Sequence, residues 1–130
     1  SEKALDELVS HASKILDKLE LSYRNKNTCS GDLGFSAAKT TTLEVWNTTQ
    51  KCFKEISSCS QKRDFQTRKM STQITDGSTK TYPHTLNGSA LAVGRTLLAI
   101  LENYFENGVG IHIPKVLSAY LTFDLIEIKK

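Results

Sequence analysis

TYPHTLNGSALAVGRTLLAILENY, residues 81–104, decides how this chain is read. It opens with strand-forming residues, passes through Asn87-Gly88-Ser89, and ends in a long apolar run carrying one arginine. Asn87 and Ser89 are good helix N-caps, so a helix is expected from there to Glu106. At about 100° per residue, Leu91, Leu98, Leu101, Ala90, Leu97 and Ile100 fall on a broad apolar arc. Ala92, Thr96 and Ala99 fill part of the remainder with small side chains. Such a helix is expected to be largely buried against the back of a sheet. Arg95 lies at one border of the arc. It either pairs with an acid or points at an anion, and position alone leaves the two equal. Glu102 is too far along the same helix for a close pair. Gly94 costs a helix about 1 kcal/mol relative to alanine, which makes sense where a backbone or ligand must approach. The helix start, with free N–H groups and a positive dipole end, suits a small anion or zwitterion.

Outward from this stretch, the preceding segments supply a sheet. Leu43–Trp46 and Lys51–Ser60, joined through Asn47-Thr48-Thr49-Gln50, read as a hairpin. Strict alternation in the second strand places Phe53, Glu55, Ser57 and Cys59 on one face and Cys52, Lys54, Ile56 and Ser58 on the other. A carboxylate among hydroxyls on a sheet face either meets water or lines a site. Residues 20–28 are expected to add a short strand, and the Gly31–Gly34 region a loop. Lys39 follows it and is either a phosphate contact or an ordinary exposed lysine. Gln61–Asp64 is a polar link. Phe65–Met70 is expected to lead into a strand ending near Thr75, followed by the Asp76-Gly77 turn. The next strand is expected from Lys80 to Leu86, with Pro83 marking an edge or a bulge.

At the start, Leu5, Leu8, Val9, Ala12, Ile15, Leu16 and Leu19 recur at helical spacing over residues 2–19, and His11 falls on the polar side. Residues 122–130 alternate enough for a short strand or a tail. Strands joined mainly by hairpins, with helices before and after, predict an α+β fold: an antiparallel β-sheet flanked by helices.

The 130 residues suit one domain, 1–130. The net charge of +3 is no nucleic-acid footprint by itself. Cys29, Cys52 and Cys59 form no CxxC pair, so reduced thiols are expected rather than a disulfide framework or a zinc site. No apolar run approaches the ~20 residues of a membrane helix, and no signal peptide opens the chain. The chain lacks an initiator Met and is expected to be a fragment of something longer. No Ser/His/Asp arrangement, paired acid/base carboxylates or GxxxxGK loop is present. The remaining chemistry acts by positioning and charge stabilisation, as nucleotidyl transfer requires.

Gly31–Lys39, Leu43–Trp46, Glu55–Ser60, Asp64-Phe65-Gln66-x-Arg68 and His84–Thr96 together resemble the C-terminal part of the catalytic domain of the seryl-tRNA synthetase family, including class II motif 3, a strand and then a helix bearing an arginine. The resemblance covers the chain from the first helix to about Leu121, and is nearer the bacterial or organellar type than the archaeal zinc-dependent one. It implies a partial class II aminoacyl-tRNA synthetase catalytic core. It further implies a serine–tRNA ligase fragment: L-serine is activated with ATP and Mg²⁺ to seryl-adenylate and passed to tRNA(Ser). Arg95 would hold the γ-phosphate and Glu55, Ile56, Ser57 and Ser58 would line the ATP site. Arg95 and Glu55 are the catalytic candidates, and Glu55 and Ser58 the metal ligands. Asn87 and Ser89 would bind serine. Arg68 matches a family arginine. The full-length enzyme would be a cytoplasmic homodimer with no membrane partner.

Departures from the family pattern are Thr41-Thr42 for a Tyr-Asp pair, Asn47-Thr48-Thr49 for Leu-Pro-Gly, Gln61 for Asn and Lys69 for Arg. Motifs 1 and 2 and the N-terminal tRNA-binding arm are absent, so the fragment alone is expected to be inactive. The alternative is a catalytically inactive synthetase-like paralogue acting as a binding module.

Overall fold

A computed structural model describes residues 1–128; Lys129 and Lys130 lie outside the described residues. The elements in chain order are α1 (Glu2–Lys18), β1 (Tyr23–Asn27), β2 (Lys39–Asn47), β3 (Cys52–Arg63), α2 (Phe65–Met70), β4 (Ile74–Asp76), β5 (Thr79–Thr81), β6 (Thr85–Ser89), α3 (Val93–Asn103), β7 (Phe105–Glu106), β8 (Gly110–His112) and β9 (Leu125–Glu127). The architecture is the expected α+β. A four-stranded antiparallel sheet has the order β1-β2-β3-β6, with a β4-β5 hairpin and a small β7-β8-β9 sheet beside it.

One face of the main sheet holds the core. Ala12, Leu16 and Leu19 from the first helical segment meet Leu43, Val45 and Ile56 from the sheet and Ala99 and Ile100 from α3. Leu16 and Leu43 are fully enclosed. Gly88 lets α1 approach closely, since a Cβ there would overlap Leu8 and press on Cys59 Sγ. The far ends of the two helices are tied by the Tyr104 hydroxyl, which donates to the Leu19 carbonyl at 2.8 Å. Burial raises the Tyr104 pKa above its ordinary value.

The structure corrects several expectations. Asn87-Gly88-Ser89 does not cap a helix: these residues belong to β6, because β3 offers them a pairing edge. The helix starts at Val93 behind an extended Ala92 that has no side-chain cap, and the Ala92 N–H is instead satisfied by the Ile56 carbonyl at 2.6 Å. Its end also comes early, at Asn103, whose side-chain amide donates to the Ala99 carbonyl at 2.8 Å and the Trp46 carbonyl at 3.2 Å. Phe105 and Glu106 then pair with β8.

The same helix is less buried than its arc predicts. Thr96, Ala99 and Ile100 are covered, while Val93 is 77% and Leu97 54% exposed. Two expected strands also change. The stretch leading into the first, residues 65–70, forms helix α2, whose Thr67 hydroxyl donates to the Asp64 carbonyl at 3.0 Å and the Pro83 carbonyl at 2.8 Å, and the strand after it is the short β4, Ile74–Asp76. The strand expected over 80–86 divides into β5 and β6 around Pro83, which has no N–H to give a ladder. Within residues 122–130, Leu125–Glu127 form the strand β9.

The strict alternation expected for β3 also fails. The β2–β3 register pairs Leu43 with Ser57 but Glu44 with Glu55, leaving Ile56 as a bulged residue. A bulge shifts the strand's faces by one residue. Ser57, Cys59 and Gln61 are buried on the helix side of the sheet. Burial pushes the Cys59 thiol pKa up.

Candidate functional site

The bulge brings Glu55 onto the same face as Ser58, Ser60 and Lys62, the face opposite the helices. Register then aligns the neighbouring strands. Ser58 lies between Thr42 and Ser89, and Ser60 between Thr40 and Asn87. Lys26 of β1 stands opposite Thr42. The result is a hydroxyl-rich face across four strands, flanked by charges. The Thr40 and Ser60 hydroxyls hydrogen-bond at 2.8 Å.

A groove of about 370 Å³ runs along this face past Lys26, Thr42, Glu55, Ser58, Ser60 and Lys62. A second cavity of about 370 Å³ adjoins it, with Trp46, Glu55, Ile56, Arg95 and Leu98 in its walls. Glu55 borders both. Arg95 reaches the boundary from α3, and its Nη1 donates to the Glu55 carbonyl at 2.7 Å. That leaves most of the five guanidinium donors available. No acid pairs with Arg95 among the described residues. No atom approaches within 4 Å of a Cβ built on Gly94, so close backbone approach is not the reason for glycine there.

Not every residue of the expected ATP set faces the groove. Glu55 and Ser58 do. Ile56 and Ser57 are each 2% exposed. Ile56 packs in the core, and the Ser57 hydroxyl donates to the Ser89 carbonyl, clamping β3 to β6. Asn87 and Ser89 are exposed on β6, next in register to Ser60 and Ser58. The two expected ligand sets thus meet along one seam, the β3–β6 pair.

One functional group was not singled out from the sequence. Glu44, opposite Glu55, is 8% exposed on the polar face. Arg24 holds it through two 2.7 Å contacts from Nε and Nη2, and Lys26 Nζ lies 3.6 Å away. Arg24 also stacks over the Phe53 ring at 4.2 Å. The signal was the alternation of Thr40, Thr42 and Glu44 opposite a strand containing Arg24 and Lys26. Glu44 is committed to these cations, whereas Glu55 has no ion-pair partner among the described residues.

Glu55 and Ser58 offer hard oxygen donors suited to Mg²⁺, which commonly takes one or two protein ligands and completes its shell with phosphates and water. No group of three His, Cys, Asp or Glu side chains gathers among the described residues. The donor set therefore fits a metal ion shared with a phosphate ligand, not an all-protein cage. No helix among them is long and apolar enough to cross a membrane.

Comparisons with known proteins identify the family. Residues 1–104 match the family model of the tRNA synthetase class II core domain (G, H, P, S and T). The chain is 55% identical over 122 residues to a serine–tRNA ligase of Nitrosomonas europaea, covering 93% of this chain and 28% of the relative. Identity to that of Nitratiruptor sp. is 54% over 121 residues, covering 93% and 29%. The fold superimposes on the seryl-tRNA synthetase of Pyrococcus horikoshii complexed with ATP with a TM-score of 0.93 at 36% identity, covering 99% of this chain and 30% of that one. For the cytoplasmic serine–tRNA ligase of Naegleria fowleri in complex with AMP the TM-score is 0.87 at 32% identity, with 98% and 30% covered. The chain thus spans under a third of the length of these relatives, and over that span it belongs to the class II tRNA synthetase core-domain family.

Proposed function

We propose that this chain is the C-terminal part of the catalytic domain of a serine–tRNA ligase, and that it supplies part of the ATP and serine sites. The observation that carries the reading is the β3–β6 seam, where Glu55 and Ser58 face the same groove that Asn87 and Ser89 adjoin. Similarity to serine–tRNA ligases, and to relatives complexed with ATP and AMP, supports the choice of substrates.

In this reading the whole enzyme activates L-serine with ATP and transfers it to tRNA(Ser). Arg95 presents its free N–H donors to the terminal phosphate and is held at the site edge by the Glu55 carbonyl. The Glu55 carboxylate and Ser58 hydroxyl would hold Mg²⁺, which when bound neutralises phosphate charge. Asn87 and Ser89 present polar groups to serine, and a site that hydrogen-bonds its hydroxyl rejects analogues lacking one. Ile56 and Ser57 act from behind, fixing the strand that carries Glu55. The whole enzyme would be a homodimer located in the cytoplasm.

Serine-dependent ATP–pyrophosphate exchange by the full-length protein tests this. Replacing Arg95 with alanine should reduce exchange by about 10²–10³-fold, the usual cost of losing one donor to transition-state charge. Unchanged exchange in that variant would remove Arg95 from its assigned role.

A further inference from the structure

We propose that the exposed aromatic pair Phe35–Phe65 and the cations beside it form a stacking platform for the unpaired 3′ end of an RNA, at the mouth of the polar groove. This rests on the functional reading above and assigns a surface to its RNA partner.

Phe35 is 93% exposed, an unusual position for a large apolar ring. It is not a solitary ring in solvent: it meets the Phe65 ring edge-on, with centroids 5.8 Å apart and planes at 79°. Two rings at right angles leave the face of at least one open to a further planar group. On helix α2, Arg68 and Lys69 follow Phe65 at i+3 and i+4, and so share its side of the helix. Lys62 Nζ bonds the Ser36 hydroxyl at 2.9 Å, placing an ammonium next to Phe35 in the chain. Arg68 also lies over the Tyr82 ring at 5.0 Å and is partly neutralised by Asp64 at 2.7 Å, which leaves Lys62 and Lys69 as the freer charges.

Aromatic faces interleaved with cations are what single-stranded nucleic acid needs: rings stack its bases and cations meet its phosphates. The position suits the same partner. Lys62 lines the groove that contains Glu55 and Ser58, and Gly34 and Ala37 of the Phe35 loop line it too. A strand stacked on Phe35 would have its end directed along the hydroxyl-rich face towards Glu55. A duplex offers only the outer face of its last pair, whereas an unpaired end offers successive base faces together with a flexible backbone that the cations can meet, so the occupant is an unpaired end.

The test uses the full-length protein and direct RNA binding, so it does not depend on serine activation. The probes are a tRNA with an intact unpaired 3′ end and the same tRNA trimmed to the blunt duplex. The unaltered protein should bind the intact tRNA about tenfold more tightly than the trimmed one, as base–aromatic stacking allows. In F35L and in the F35A/F65A pair that preference should disappear, with serine-dependent exchange unchanged within twofold. F35W should retain it. Equal preference in F35L and in the unaltered protein overturns the platform. So does a parallel fall in exchange, which would mean a structural role, or protection of Phe35 by another part of the full-length chain. Absence of exchange in the unaltered protein would count against the serine-ligase reading, while the binding preference would still be readable.

Discussion

At the scale of single residues, what matters is which charges are already committed. Glu44 is held by two cations, and Asp64 by the Arg68 guanidinium at 2.7 Å. The hydrogen bond from Arg68 holds the Asp64 carboxyl below its usual range. A lowered folded pKa stabilises above the ordinary carboxylate pKa, and the contribution is lost as pH falls through the depressed value. We therefore expect the Asp64 carboxyl resonance to titrate below that of a model aspartate, and to move back to the ordinary range in Arg68→Ala. An unmoved titration would mean that the ion pair does not form in solution. Because the pair lies at the surface, open to solvent on the Arg68 side, global stability should hardly respond. Glu55 and Arg95 are the contrasting cases, since neither forms an ion pair among the described residues.

At the scale of elements, packing overrode local preference in a few definite places. Leu16 and Leu97 look alike in sequence, yet Leu16 is fully enclosed and Leu97 is 54% exposed. In the chain 1–130, Leu16→Ala should cost about 2–5 kcal/mol in urea unfolding, and Leu97→Ala only about 0.5 kcal/mol. Similar losses at both positions would mean that α3 is covered in solution. The first helix, the β2–β3 hairpin and the antiparallel α+β class were legible because their patterns extend over many residues. The helix start was not, because Asn87 and Ser89 suit a cap and a strand edge equally, and only the presence of β3 decides between them. The bulge at Ile56 was not legible either, since nothing in Lys54-Glu55-Ile56-Ser57 marks an extra residue. Part of the candidate site was nevertheless visible in residue types: Arg95 and Glu55 stood out, but strict alternation set Ser57 rather than Ser58 beside Glu55. Ser58 came only from the family resemblance, and the bulge explains why it shares a face with Glu55. Glu44 was missed because its role appears only when β1 is laid beside β2.

At the scale of the whole molecule, the proposed function gives the chain one side of a site. It covers 28–30% of its relatives. The helix-side groove between α1, α3 and the segment around Leu117 is lined almost wholly by apolar residues, with Tyr120 at its rim 83% exposed. Residues 1–130 alone should therefore give no measurable serine-dependent pyrophosphate exchange under conditions where the full-length protein turns over. Robust turnover by the fragment would show that its own residues suffice.

The main sheet, finally, has two unlike borders. Beyond β1 the outer strand reads Tyr23-Arg-Asn-Lys-Asn27, with charged and amide side chains that discourage another strand from joining. Beyond β6 the outer strand reads Thr85-Leu-Asn-Gly-Ser89, with no charge and no proline, and among the described residues nothing pairs with that side. The sheet can therefore be extended in one direction only, so β6 serves as a template with a polarity. A newly made chain that left this border open for long would recruit strands from its neighbours, and the order in which parts of the longer protein fold is thereby a matter of solubility as well as of shape.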